Sequence, residues 1–374
     1  MNPKIKNLNK EVIIFHPSIE GAGVEKNLYI IANYLSNKLN KVSLITCDNK
    51  KEYFTKKLNI IKPSIKVDEN AGRPIKYFLC ILTLIKYCIL NRNKFILLSF
   101  QANIYAIIIC KFFNIKIVSR SNSSPSGWSK NYFKNIVFNF FLKRADKIIV
   151  NSTDFKKELD KKFNIKSTLI LNPFNFDEIK KKSKEKIYLN FFKKKNTLRI
   201  VNVARLTDQK DHLTLLKAIN IVKNYRKVEL IIVGRGVFKN KLINYIKENK
   251  LEQFVKLVGY QKNPFKFISL CKVFVLSSIF EGHPNVLVEA MSLKKFIISS
   301  DCPTGPREIL GNGKYGSLFK PQDFKKLANL LINFRLDKNN KIKVNKGLKT
   351  LYVYDYKKKC EEYLNAIKPY LISN

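Results

Sequence analysis

Short apolar runs separated by longer stretches of helical period recur along this chain, and the pattern runs through twice. Residues 11–16 (EVIIFH), 41–47, 94–100, 115–120, 146–151 and 167–172 read as strands, with helix-like stretches such as 24–39 and 129–144 between most of them. The runs are continuous Val, Ile and Leu, as strands of a parallel sheet covered on both faces require. A lysine-rich break near 180–196 interrupts the series, which restarts at 198–204, 228–233, 255–259, 272–277, 296–300 and 315–319. At 374 residues the chain is also too long for one ordinary core. The pattern predicts an α/β protein of two doubly wound domains, residues 1–180 and 181–355. A last helical stretch, 356–374, is open to either domain, with packing back on the first as one option. In such sheets ligands sit beyond the carboxyl ends of the strands, so the expected site is a cleft between the facing domains.

The formal net charge of +43 has two readings. It would draw the chain toward anionic lipid, nucleic acid or phosphorylated substrates. It could equally follow from a composition rich in Lys, Asn and Ile throughout, because the lysines sit in every segment. The seven cysteines form no C-x-x-C pair and have mostly apolar neighbours, which suits buried thiols in a reducing compartment. His16, His212 and His283 make no recognisable ligand set, and no D-x-D occurs, so neither a metal nor another cofactor is expected. The apolar run near the start, VIIF, is too short for a signal-peptide core and reads as a first strand, so a cytoplasmic location is expected.

Residues 75–90 (IKYFLCILTLIKYCIL) are apolar nearly all round. As a helix they would extend about 24 Å, short of the roughly 30 Å hydrocarbon core of a bilayer. The preferred reading is a buried helix of the first domain. The alternative is a helix dipping into one leaflet, with Arg73, Lys76, Arg92 and Lys94 near lipid phosphates.

Three clusters carry chemistry. In SSIFEGHPNVLVEAM, starting at Ser277, a strand ends in a loop with Glu281, Gly282, His283 and Pro284, and a helix starts near Asn285 and carries Glu289. Pro284 disfavours helix at His283 and so sets the boundary. A helix N-terminus after a glycine-bearing loop offers free N–H groups to a diphosphate, and nearby carboxylates suit sugar hydroxyls better than phosphate. A solvated glutamate at a helix start is the plainer alternative. In RIVNVARLTDQKD, a strand delivers Arg205 and then Lys210, a fork and a point charge able to neutralise a diphosphate. In Gly21-Ala22-Gly23-Val24-Glu25, glycines at the opening of a helix permit close backbone approach, while Glu25 is as easily a capping charge.

Taken together, these clusters resemble the retaining GT-B glycosyltransferases, specifically glycosyltransferase family 4 of the bacterial surface-polysaccharide type. The resemblance is carried by Gly23-Val24-Glu25, Arg205-Leu206 with Gln209-Lys210-Asp211, and the E-x7-E block from Glu281 to Glu289. Further matches are Val150-Asn151-Ser152, Asn172-Pro173-Phe174, Val233-Gly234 and DCPTGPRE from Asp301 to Glu308. It covers nearly the whole chain, and the order and spacing are more specific than any single motif. It implies two Rossmann-like domains and a nucleotide-sugar donor, commonly a UDP-sugar, bound without metal. Arg205 and Lys210 would hold the diphosphate, Glu281 the transferred sugar and Glu289 the ribose. Backbone from Asn285 through Val286 to Leu287 would complete the anion site, with Gly23, Gly234, Tyr260 and His283 also beside the donor. Reaction would proceed with retention, the leaving phosphate oxygen taking the acceptor's proton.

Two departures from the family pattern stand out. Ala22-Gly23 replaces a frequent glycine pair, and Ser119-Arg120-Ser121-Asn122-Ser123 has no histidine where many relatives carry one. Glu25, Arg120 and Asn122 are therefore assigned to the acceptor side. The resemblance implies a glycan or polyprenyl-diphosphate-linked acceptor and, with the charge, peripheral attachment to the inner face of the cytoplasmic membrane. The alternatives are a sugar-nucleotide epimerase of the same fold, which would need no acceptor, and a donor-binding subunit without catalysis. A nucleic-acid-binding protein is suggested by charge alone, without the aromatic-interleaved basic tract such proteins carry.

Overall fold

The computed structural model describes residues 10–19, 23–49, 51–68, 71–122, 132–187, 189, 191 and 196–372. The chain divides into two compact units, residues 1–174 with 353–374, and residues 175–352.

The first unit runs β1 (Glu11–Phe15), α1 (Gly23–Lys38), β2 (Val42–Ile45), β3 (Asn59–Ile61), α2 (Arg73–Leu90), β4 (Phe95–Ser99) and α3 (Asn103–Phe112). It continues through β5 (Ile117–Arg120), α4 (Tyr132–Leu142), β6 (Lys147–Val150), α5 (Thr153–Phe163) and β7 (Thr168–Leu169). Among the described residues its sheet has seven parallel strands in the order β3-β2-β1-β4-β5-β6-β7. Every residue of β1, β2 and β4 is buried, as strands this rich in Val, Ile, Leu and Phe require, with Glu11, Ser43 and Ser99 the polar residues among them. The three-residue β3 was not expected; a run this short carries no period to read.

The second unit starts with α6 (Phe176–Ser183), β8 (Leu198–Val203), α7 (His212–Val222), β9 (Val228–Val233), α8 (Lys239–Glu248), β10 (Val255–Gly259) and α9 (Phe265–Ser269). Then come β11 (Val273–Leu276), α10 (Asn285–Ser292), β12 (Phe296–Ser300), α11 (Pro306–Ile309), β13 (Ser317–Phe319), α12 (Phe324–Ile332) and α13 (Lys338–Thr350). Among the described residues its sheet has six parallel strands in the order β10-β9-β8-β11-β12-β13.

The final helix, α14 (Tyr356–Ile367), belongs to the first unit. The chain leaves that unit and returns at one point, where the Phe174 amide donates to the Tyr354 carbonyl (2.9 Å) and the Tyr356 amide donates back to Phe174 (3.2 Å). Cys360, Tyr363, Leu364 and Ile367 of α14 join Leu28, Ile31 and Leu35 of α1 in one buried cluster on one side of the sheet. Tyr34 donates to Glu361 at 2.5 Å along the same contact.

The 75–90 segment differs from its preferred reading. The helix is present, but only Lys76, Cys80, Leu84 and Cys88, one stripe at i, i+4 spacing, are buried. Ile75, Phe78, Leu82 and Ile89 are exposed. Among the described residues no helix is long and apolar enough to cross a membrane.

Candidate active site

Because all strands of the second sheet are parallel, the loops after β8, β9, β10, β11 and β12 lie along one edge. The strand order reverses between β8 and β11: β9 and β10 follow on one side, β12 and β13 on the other. A crevice opens at such a switch point, since successive connections leave in opposite directions. Lys210 follows β8 and Glu281 follows β11, so the two meet there. Their Nζ and Oε1 are 2.5 Å apart, with 15% and 7% of the side chains exposed.

The surrounding contacts fix this pair. Glu281 Oε1 also accepts from Ser278 Oγ (2.6 Å), and Ser277 Oγ donates to the Lys210 carbonyl (3.0 Å). Gln209 Nε2 donates to the Phe280 carbonyl (2.8 Å), while the Ile279 amide donates to the Gln209 carbonyl (2.8 Å). The two loops are thus stitched by backbone and side chain. Thr304 donates to the Glu281 carbonyl, bringing the DCPTGPRE segment against the same loop. Gly305, at φ +94°, has no room for a side chain: a Cβ would lie 2.6 Å from Pro284 Cδ.

Pro284 precedes α10 as its N-cap, and Asn285, Val286 and Leu287 form the first turn. Leu287 donates its amide to the Pro284 carbonyl (3.0 Å). Glu289 lies in the same helix and is buried, as is His283 in the loop. Asp211, the last residue of Gln209-Lys210-Asp211, caps α7 by accepting from the Thr214 amide (3.2 Å). Its work is local, to start the helix that follows Lys210.

On the other side of β8, Gly234 and Gly236 lie against the loop that carries Arg205. A Cβ on Gly234 would stand 1.8 Å from the Ala204 carbonyl oxygen, and one on Gly236 2.3 Å from that of Leu206. The glycines let the loops lock, Leu206 donating to Arg235 (2.9 Å) and Phe238 to Leu206 (3.0 Å). Arg205 and Arg235 are both exposed. The Arg235 guanidinium lies 4.8 Å from the ring centre of Tyr260, just past β10. Arg235 stands between Gly234 and Gly236, the two glycines that follow β9.

The first unit has its own switch point, between β1 and β4. The Ser18 amide donates to Gln101 Oε1 (3.1 Å), and Gln101 Nε2 donates to the Ser18 carbonyl (3.0 Å). Gly21 and Ala22 lie outside the described residues, Gly23 begins α1, and Glu25 is buried within that helix. His16, at the end of β1, is fully buried, and burial aided by the nearby Arg120 charge lowers its pKa to about 3.

Arg120 is completely buried. Nε donates to Tyr363 of α14 (2.7 Å), Nη2 to Asn172 (2.7 Å) and Nη1 to Asn122, and the guanidinium lies over the Phe100 ring. The direct acceptor contact expected of Arg120 has no surface to occur on; what this side chain can do is hold Asn122. Asn122 is partly exposed and donates to the Phe100 carbonyl (2.7 Å).

Residues 183–347 match the family of glycosyl transferases, group 1. An N-acetylgalactosamine-N,N'-diacetylbacillosaminyl-diphospho-undecaprenol 4-alpha-N-acetylgalactosaminyltransferase of Campylobacter jejuni is 31% identical over 320 residues, covering 82% of this chain and 84% of its own. This chain belongs to the group 1 glycosyltransferases. A second relative, the glycosyltransferase MJ1059 of Methanocaldococcus jannaschii, is 34% identical over 282 residues, covering 65% of this chain and 69% of its own. The structure of Anabaena Alr3699/HepE with UDP-glucose superposes with a TM-score of 0.77 at 16% identity, over 96% of this chain and 99% of that one. At that identity the likeness is one of fold, and it places this glycosyltransferase in the GT-B class of paired Rossmann-like domains.

Proposed function

We propose that this glycosyltransferase moves a hexose or N-acetylhexosamine from a nucleotide sugar, a UDP-sugar foremost, to a lipid-linked or glycan acceptor in cell-surface polysaccharide synthesis, with the retention typical of family 4. The observation that carries the reading is the meeting of Lys210 and Glu281 at the switch point between β8 and β11. An ammonium has three N–H donors, so Lys210 can keep its bond to Glu281 and still give others to phosphate oxygens. The exposed Arg205 would add a planar fork, and the first-turn amides of α10 a positive dipole end.

Transfer passes through a cationic, oxocarbenium-like sugar while charge builds on the departing diphosphate. Fixed cations aimed at that charge lower the barrier without reorganising as it forms. Glu281 would contact the sugar hydroxyls, Glu289 the ribose, and Gly234 and Tyr260 would border the nucleotide. Asn122, held by Arg120, would face the acceptor. The departing phosphate oxygen would take the acceptor proton. The relative whose name specifies a diphospho-undecaprenol-linked acceptor supports the lipid-linked choice, and the fold neighbour bound to UDP-glucose supports the donor class.

The test is thermal-shift titration of the whole chain with UDP-, GDP-, ADP- and CMP-sugars, beside Lys210→Ala. A donor that binds only the folded state raises its apparent stability by mass action. A shift with UDP-sugars that disappears in the variant supports the reading. No shift with any sugar nucleotide, or an equal shift in the variant, overturns it.

A further inference from the structure

We propose that the outward faces of α2, α3 and α4 form a docking surface for an anionic lipid bilayer, an inference that builds on the lipid-linked acceptor proposed above. The helices lie side by side on one face of the first sheet, their inner residues sharing a single buried cluster that includes Cys80, Leu84, Ala106, Ile107 and Leu142. Their outer residues therefore point the same way. On α2 the outer stripe is Ile75, Phe78, Leu82 and Ile89, with Lys86 among them. On α3 it is Tyr105, Ile108 and Phe112, the last 81% exposed, at i, i+3, i+7 spacing. On α4 it is Ile136, Val137 and Phe140. Single exposed apolar residues are ordinary on a protein surface, whereas ten on three neighbouring helices mark a contact face.

Charge selects the occupant. Between Arg73 and Ala145 the sequence holds twelve Lys and Arg and no Asp or Glu, although the whole chain carries 28 acidic residues to 71 basic ones. An even spread of composition would put several acids in this stretch. Lys76, which interrupts the apolar sequence of α2, turns inward and pairs with Asp48 at 2.8 Å, so it does not break the outer stripe. The exposed bases gather where the helices end, Arg92 and Lys94 after α2 and Lys143 and Arg144 after α4, while Lys116 after α3 is paired with Asp146 at 3.0 Å. Helices crossing between parallel strands all end at one edge of a sheet, so these residues form a basic rim beside an apolar floor. Two copies of this face would bring like charges together, and nucleic acid would meet apolar side chains where it needs cations. Anionic headgroups match the rim, and the acyl boundary matches the floor.

The experiment is co-sedimentation of the whole chain with vesicles of phosphatidylcholine alone, or with about a third phosphatidylglycerol to give a negative surface. The wild type is expected to pellet with the anionic vesicles and to be released by salt. The triple variant Phe78→Ser, Leu82→Ser, Phe112→Ser should weaken partitioning by roughly tenfold or more, since exposed apolar area supplies the insertion energy. Its thermal shift with UDP-sugars should match the wild type. A wild type that stays in the supernatant, or a variant that pellets equally well, overturns the proposal. So does a wild-type dimer that the variant dissolves without losing vesicle binding. Amide exchange of the wild type on vesicles serves as a second measurement: protection in α2, α3 and α4 supports the surface, and protection confined elsewhere overturns it. Vesicle binding without any donor shift would sink the donor reading and leave this surface standing; a donor shift without vesicle binding would do the reverse.

Discussion

The Nζ of Lys210 lies 2.5 Å from Oε1 of Glu281, although the two residues are 71 positions apart and follow different strands. The ion pair is largely enclosed, and Ser278 shares the same carboxylate oxygen. Such a pair fixes a cation beside the β8–β11 switch point.

Replacing Lys210 with Ala should reduce kcat about a hundredfold or more, in line with removing one fixed donor from a developing oxyanion. Glu281→Gln keeps a group able to accept from Ser278 but removes the charge that holds Lys210. Transfer assays with radiolabelled UDP-sugar and a lipid-linked acceptor measure both. Wild-type turnover in Lys210→Ala would remove it from the chemistry.

Gly234→Ala should abolish the donor-induced thermal shift and destabilise the second unit, because the new methyl cannot coexist with a carbonyl oxygen 1.8 Å away. The loop carrying Arg205 must move to admit it. Gly72→Ala, whose Cβ would meet only Pro74 at an ordinary 3.6 Å, is the control and should leave donor binding intact. Equal behaviour of the two variants would contradict the close approach.

Tyr363→Phe deletes the oxygen that accepts from Arg120 Nε at 2.7 Å in a fully buried site. Leaving a buried charged donor short of a partner costs about 1–3 kcal/mol. Urea denaturation followed through the first unit should show that loss, while the UDP-sugar shift stays unchanged. An unaltered midpoint would mean that α14 is anchored without this bond.

Acidification should destabilise both units well above the carboxylate range. Burial lowers the pKa of His16 to about 3, and burial with the nearby Lys210 charge lowers that of His212 to about 4. Unfolded, each would titrate near 6.5, so below that pH the unfolded chain binds more protons than the folded one. The stability that neutral histidine provides is present above pH 6.5 and is lost as pH falls toward 4. Each histidine contributes a slope of up to about 1.4 kcal/mol per pH unit in that window. Denaturation midpoints at intervals from pH 7.5 to 5 test this; a flat profile would show that the imidazoles take up protons as readily in the fold as in the unfolded chain.

Much of the fold was legible because unbroken Val, Ile and Leu runs have few uses other than doubly covered strands. Segments such as EVIIFH and KVFVL gave strands within a residue or two of β1 and β11. Pro284 marked the start of α10 because the residue before a proline resists helix. The three-residue β3 and the charged, weakly periodic α13 escaped notice, since neither has an apolar pattern long enough to register. The 75–90 segment is a helix with one buried stripe and exposed apolar residues, a division that composition does not encode. Lys76, placed near lipid phosphates in the alternative reading, is among the buried residues and pairs with Asp48.

By itself the sequence determined the local elements, the repeat of an α/β pattern and the residue types proposed here to bind a nucleotide sugar, since these depend on neighbours within a few positions along the chain. Tertiary structure alone decided which strands became neighbours. The order β10-β9-β8-β11-β12-β13 puts the Lys210 loop against the Glu281 loop, and no local propensity encodes that. It also turned Arg120 from a ligand contact into the buried tie between β5 and α14. Burial and strand order come from packing the whole chain at once, because each apolar face needs a partner that lies far away in sequence.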